Sequence, residues 1–344
     1  MRKVLIMKIK KRLILITLCI LIGVTIVVVT LFVVTKKDGN QNKEEAQTQD
    51  TTPPIIVLGD SYVVKVGYEK SLTDVIMSAD DIDPNPKREI IGDYDINTAG
   101  EYNLTYKIED ASGNVTLKEF VLKVREETAY REDEITFDDA VKKYKTGKTL
   151  LGIDVSKWQG EIDWKKVSNA GAEFAIIRFG YQNGFDGEVL EDPYLEKNIK
   201  GCEENNIPIA FYFSSYAKTK DEAINHVTWG IEVLKKYNYE NASVAFDWEN
   251  WNSFNKLGIS LNDINNIADI FMEEFSKQGY HPFLYGSKTY LESVWTNKNR
   301  YDIWLANYVS KTEYQNLYKI WQFTQTGKID GISGNVDINV MYKD

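Results

Sequence analysis

From residue 150 onward the chain alternates between two hydrophobic periods, and that alternation restricts the fold more than any other feature of its 344 residues. Eight strand-length runs follow one another: LLGIDVS, FAIIRFGY, PIAFYFSSY, SVAFDWEN, HPFLYGS, YDIWLANY, YKIWQFTQ and NVDINVMY. Their β-branched and aromatic residues suit a pleated, largely buried surface. Among them lie five helical segments, DWKKVSNAG, PYLEKNIKGCEENN, TKDEAINHVTWGIEVLKKYN, SLNDINNIADIFMEEFSKQG and KTYLESVW, with apolar residues at helical spacing. Repeated strand, helix, strand order implies parallel neighbours joined by helical crossovers. Eight such strands predict an α/β domain over 150–344: an irregular (β/α) barrel of eight strands and about five helices, closed on itself, whose last connections have lost their helices.

In such a barrel, ligand chemistry sits at the carboxyl ends of the strands. Asp154 lies in the first run, Asp247 and Glu249 in the fourth, and Asp337 in the eighth. Strands one and eight become neighbours on closure, with strand four across the mouth, so the four carboxyls are expected to converge. Within VAFDWENW, residues 244–251, strand alternation points Val244, Phe246 and Trp248 one way and Ala245, Asp247 and Glu249 the other. Two carboxylates on one face repel, which raises one pKa and leaves the other group ionised, an acid paired with a base.

The motifs LLGIDVSKWQGEIDW, AFDWEN, IWLANY, WQFT and GNVDIN, in that order across residues 150–344, resemble those of glycoside hydrolase family 25, the muramidases or lysozymes of bacterial and phage origin. The resemblance implies cleavage of the β-1,4 bond from N-acetylmuramic acid to N-acetylglucosamine in peptidoglycan, and it puts the family's acidic positions on Asp154, Asp247, Glu249 and Asp337. Glycoside cleavage needs a proton for the leaving oxygen and support for an oxocarbenium-like centre. Glu249 is the expected general acid. Asp247 is expected to orient the substrate's 2-acetamido group or to act directly as nucleophile, with Asp154 and Asp337 positioning the sugar. Many family members carry a Tyr-His pair on the third strand, whereas here Phe213 follows Tyr212. Aromatic faces suit sugars, so Tyr212, Tyr285 and Trp304 are candidate subsite walls. A catalytically silent glycan-binding or adhesion protein using the same cleft is the alternative.

No cofactor or metal is expected. The chain has two histidines, His226 and His281, and two cysteines, Cys19 and Cys202, too few for a zinc cluster or a cysteine peptidase site. Cys202, in a helical segment, reads as a packing residue.

The amino end reads differently. Leu13 to Val34 is a run of 22 residues without a charge, about 33 Å as a helix and enough to cross a bilayer core. Arg2, Lys3, Lys8, Lys10, Lys11 and Arg12 precede it, so the expectation is a cytoplasmic tail (1–12), a transmembrane helix (13–34) and everything later outside, a single-pass cell-membrane protein with an extracellular catalytic domain on the wall side. The formal net charge is −10, and residues 1–37 hold eight basic and no acidic residues, so the remainder carries −18. That balance disfavours nucleic acid as a partner. Residues 35–54 read as a disordered linker. Residues 55–125 alternate as strands, and TAGEYNLTYKIEDASGNVT resembles bacterial immunoglobulin-like repeats. The alternation reads as a small β-sandwich, expected to be a spacer or a docking module for a surface protein rather than part of the catalytic machinery, because the barrel motifs are complete without it. DDIDPNP, which lacks an EF-hand's ligand register, reads as a solvated turn. Residues 126–149 read as a second linker. The expected partners are thus peptidoglycan glycan strands and the membrane.

Overall fold

The amino-terminal β-region is built on long alternating strands. The computed structural model describes residues 50–127 and 134–343. The expected membrane span at 13–34 and the tail before it lie outside the described residues, as does most of the linker after it. Among the described residues no helix is long and apolar enough to cross a membrane. Strands β1 (Ile55–Ile56) and β3 (Ser78–Ala79) pair with each other, and β2 (Ser61–Lys65), β4 (Lys87–Ile91), β5 (Gly100–Glu109) and β6 (Val115–Arg125) form a sheet in the order β2-β6-β5-β4. Every second residue of β5 and β6 turns inward, so that Leu104, Tyr106, Ile108, Phe120, Leu122 and Val124 make a core of their own. The β5–β6 hairpin closes where the Asp110 carboxylate accepts from the backbone N–H groups of Ser112 and Asn114, each at 2.8 Å. Gly113 supplies the positive φ that this turn needs.

The DDIDPNP segment is a turn, since Asp80 Oδ1 accepts from the N–H groups of Ile82 and Asp83 at 2.9 and 2.7 Å. The turn is solvated at Ile82 and Asn85, which are exposed, but not at its first residue. Asp80 is fully buried, because its carbonyl receives the Leu261 N–H at 2.8 Å where a barrel helix, Leu261–Lys277, begins.

All eight anticipated barrel strands are present. After the short β7 (Ile135–Thr136) they are β8 (Thr149–Val155), β9 (Phe174–Gln182), β11 (Ile209–Ser214), β12 (Ser243–Asp247), β13 (His281–Ser287), β14 (Asp302–Ala306), β15 (Ile320–Lys328) and β16 (Val336–Tyr342), with β10 (Val189–Glu191) as a hairpin arm on β9. The five helical segments form Trp164–Asn169, Leu195–Glu204, Lys220–Lys236, Leu261–Lys277 and Lys288–Ser293. Apart from the hairpin arm β10, strands β8, β9 and β11 to β15 run parallel in sequence order. The last strand departs from expectation: β16 is antiparallel to both β15 and β8 and closes the barrel between them. Only residues 329–335 join β15 to β16, too few for a crossover and ample for a hairpin.

Strand alternation divides the apolar residues into two cores. Val244, Phe246, Ile177 and Phe179 face outward to the helices, while Phe174, Ile176, Ala245, Tyr285, Trp304, Ala306 and Ile320 fill the barrel interior. Gly152 is required by that filling. A Cβ there would meet the Phe174 carbonyl oxygen at 2.4 Å and its ring at 2.6 Å.

Candidate active site

Period-two counting along the strands builds the site. One step beyond the interior plug, toward the carboxyl ends, Gly152 gives way to Asp154, Ile176 to Arg178, Ala210 to Tyr212, Ala245 to Asp247 and Ile320 to Gln322. On β16 the same layer is reached from the other direction: Asn339 pairs in register with Gly152, and Asp337 with Asp154. An apolar plug is thus capped by a polar layer containing Asp154, Asp247 and Asp337, with Glu249 just past the end of β12.

Asp154 is buried, and its Oδ2 accepts from Gln322 Nε2 at 2.9 Å and Asn339 Nδ2 at 2.8 Å. Burial raises its pKa against those hydrogen bonds. The same Gln322 amide donates to Asp337 Oδ2 at 3.3 Å. Gln322 Oε1 accepts the hydroxyls of Tyr285 at 3.0 Å and Tyr308 at 3.1 Å, so one buried amide ties β8, β13, β15, β16 and the loop after β14 together.

Asp247 is buried at the end of β12, where its carbonyl receives the Ser215 N–H at 2.7 Å. Its Oδ1 is enclosed without a hydrogen-bond partner in the protein, a costly state unless a ligand group meets it. Burial first, then the charge of Glu249, holds its pKa well above the usual carboxylate range, and Arg178 opposes both. Glu249 is accessible to solvent within the concave mouth, yet the surrounding walls displace enough bulk water to raise its pKa, with Asp154 adding to the effect and Tyr285 opposing it. The site can therefore keep one carboxyl protonated beside an ionised one.

Arg178 supplies the buried cation of this layer. Its Nε donates to Asp192 Oδ2 at 2.8 Å, and Nη2 forms an ion pair with the same oxygen at 2.7 Å without hydrogen-bond geometry. The neighbouring histidine plays no such part: His226 is buried with Nδ1 3.1 Å from Ser215 Oγ, and burial lowers its pKa to about 4, leaving it neutral. Cys202 is fully buried and its thiol pKa is pushed up, in keeping with packing.

The three anticipated sugar-facing aromatics separate. Tyr212 is half-buried in the polar layer with its ring edge-on to Trp304, and Tyr285 turns its hydroxyl to Gln322 at that layer. Trp304 does not line the cleft: it is 2% exposed, one layer down in the plug, with its indole N–H donated to Asn339 Oδ1 at 2.8 Å. Sequence reasoning passed over Gln322, Asn339, Arg178 and Tyr308, and also Trp158, whose indole is 77% exposed in the 3₁₀ turn leaving β8. Gln322 stood within the WQFT motif, and counting inward positions would have reached it.

Concavity alone would mislead. A groove of about 920 Å³ lies among the amino ends of β13, β14 and β15, lined by residues such as His281, Arg300, Asp302 and Lys319, and it contains none of the four acids.

Comparison with known proteins places the barrel in context. The model of glycosyl hydrolases family 25 matches residues 153–332. The uncharacterized protein YegX of Escherichia coli K12 is 26% identical over 196 residues, covering 56% of this chain and 69% of that protein. The autolytic lysozyme of Clostridium acetobutylicum is 24% identical over 192 residues, 55% of each. Among solved structures, the modular autolysin LytC from Streptococcus pneumoniae, in complex with a synthetic peptidoglycan ligand, aligns with a TM-score of 0.52 and 27% identity over 69% of this chain and 56% of that one. The chain thus spans little more than half the length of LytC and of the clostridial lysozyme.

Proposed function

The chain belongs to glycosyl hydrolases family 25, and from that membership we propose that it is a peptidoglycan hydrolase, an N-acetylmuramidase cutting the β-1,4 bond between N-acetylmuramic acid and N-acetylglucosamine. The observation that carries the reading is the convergence of Asp154, Asp247, Glu249 and Asp337 at one barrel mouth, with Asp247 Oδ1 buried and unmet by protein. Glu249, accessible and raised in pKa, protonates the leaving oxygen. Asp247 turns its unmet oxygen to the substrate, where it orients the 2-acetamido group for attack on the anomeric carbon. Asp154 and Asp337, joined through Gln322, hold the sugar. Trp158, Tyr212 and Tyr308 offer aromatic surface to neighbouring sugars.

In this reading residues 13–34 anchor the protein in the cell membrane with the barrel on the wall side, and residues 55–125 are an immunoglobulin-like module. The test of the activity is chemical. Incubating the full chain with purified peptidoglycan, reducing the products with borohydride and identifying the new end should give muramitol, and Glu249→Gln should lower that release by about 10²- to 10⁴-fold while glycan affinity survives. Glucosaminitol ends would refute the bond assignment. Equal, negligible release from both proteins with retained glycan binding would establish the silent binding protein instead.

A further inference from the structure

Glu249 lies two residues beyond the end of β12, so no sheet ladder fixes it as the ladder fixes Asp247. The next anchored segment is the 3₁₀ turn Trp251–Lys256. At its start the Trp251 N–H donates to the Glu249 carbonyl at 2.8 Å. The Trp251 ring stacks on Tyr290 with centroids 4.2 Å apart and meets Trp248 at 4.7 Å. At its other end the turn is held by the amino-terminal β-region. Asn255 Nδ2 donates to the carbonyls of Thr73 at 2.7 Å and Ile76 at 2.8 Å, and Asn255 Oδ1 accepts the Ser78 N–H at 3.0 Å. Lys256 pairs with Asp74 at 2.7 Å.

The receiving surface is itself braced. Ser78 Oγ lies 2.9 Å from the buried Tyr106 hydroxyl, and Arg88 donates to both Ser78 Oγ and the Ser78 carbonyl at 3.0 Å. Three hydrogen bonds between one side chain and backbone groups about 180 residues away, two donated and one accepted by Asn255, specify a single docking geometry, which a simple spacer would not need.

We propose that the β-region of residues 55–125 is a positioning domain for catalysis, with Asn255 as the positioning residue through which it fixes the loop that carries Glu249. This rests on the reading of Glu249 as proton donor. The domain then does more than set distance from the membrane: undocking it frees the donor's loop and lowers turnover without removing any group that touches the glycan.

The experiment compares the full chain in detergent with Asn255→Ala, Asp74→Lys and the charge-swapped Asp74→Lys/Lys256→Asp, measuring kcat, KM and the pH dependence of kcat on soluble glycan fragments. Misplacement of a catalytic group by about 1 Å costs on the order of 100-fold, so Asn255→Ala should lose about 10- to 100-fold in kcat with little change in KM. A loosened Glu249 is also better hydrated, so the basic limb of the kcat profile should move to lower pH. The titratable groups sensed with Glu249 in this site are Asp154, Asp247, Tyr285, Tyr290 and Tyr308, and all are intact in these variants. Asp74→Lys, at a partly exposed position that leaves the cores untouched, should shift both readouts in the same direction by less, and the swap should restore them. A folded Asn255→Ala with wild-type kcat and pH profile overturns the proposal, and so does a change confined to melting temperature or KM. If Asn255→Ala does not fold, unchanged kinetics in Asp74→Lys overturn it. A wild-type chain that releases no reducing ends refutes the hydrolase reading and the proposal with it, a result distinct from an active wild type with active variants.

Discussion

Asp247 shows at the scale of one side chain what the site costs. A buried carboxylate with an unmet oxygen, next to a second acid, is disfavoured in its charged form. Its folded-state pKa is raised, so the native state binds the proton more tightly than the unfolded chain does. The associated stability is present below the ordinary carboxylate range and is lost as pH rises through the native pKa. Above the ordinary carboxylate range the cost of placing a negative charge on buried Asp247 therefore counts against the fold. Asp247→Asn removes that charge at nearly constant volume: thermal melting should rise at pH 7, by about 2–4 °C for each kcal/mol relieved, and much less at pH 4, while turnover collapses. Equal melting shifts at both pH values would mean that the gain is not electrostatic. Asp247 could be found from the sequence because strand alternation gives its face without ambiguity. Its missing partner could not be, since that depends on what four other strands bring to the same layer.

At the scale of strands the sequence disclosed number and order but not direction or depth. All eight runs are strands because their composition and length leave little alternative, yet β16 runs opposite to the expected sense. That reversal is what brings Asp337, the second residue of its strand, to the mouth rather than to the far end. The seven-residue connection 329–335 carried the information, and helical periodicity did not. Trp304 illustrates depth: alternation correctly turns it inward, but only the register against Tyr285 and Ile320 shows that it sits a layer below the acids. The same registers make Gly152 a pressure point. Its missing side chain admits Phe174 beside β8, so Gly152→Ala forces apart the two strands that carry Asp154 and Arg178. The expected cost is about 1–3 kcal/mol, read from the denaturant midpoint, with activity falling more than stability because Asp154 moves with its strand. A midpoint unchanged from wild type would show that Phe174 yields easily.

For the molecule as a whole, two features carry the proposal of where the barrel works: the charge imbalance of the first 37 residues and the acidic remainder. Eight basic residues and no acidic ones surround or precede a 22-residue uncharged run, six of the eight on its amino side. A span with that bias keeps its basic end in the cytoplasm, because retaining Lys and Arg there sets orientation more strongly than downstream acidic charge does. Under the proposed anchoring the rest, at a formal −18, is the part that would face outward, away from cytoplasmic nucleic acid and toward the wall polymer that the site is proposed to cut. The full-length chain should accordingly stay with membranes after carbonate extraction, and protease added to protoplasts should digest the barrel while sparing an epitope at the amino end. Replacing Arg2, Lys3, Lys8, Lys10, Lys11 and Arg12 with Gln removes the amino-side bias while Lys36 and Lys37 remain, so a share of the chains should invert and become protected from the protease. Recovery of a mature chain beginning after residue 34, free in the medium, would instead identify the apolar run as a cleaved signal. A barrel released in that way would act on walls at a distance rather than on the wall above its own membrane.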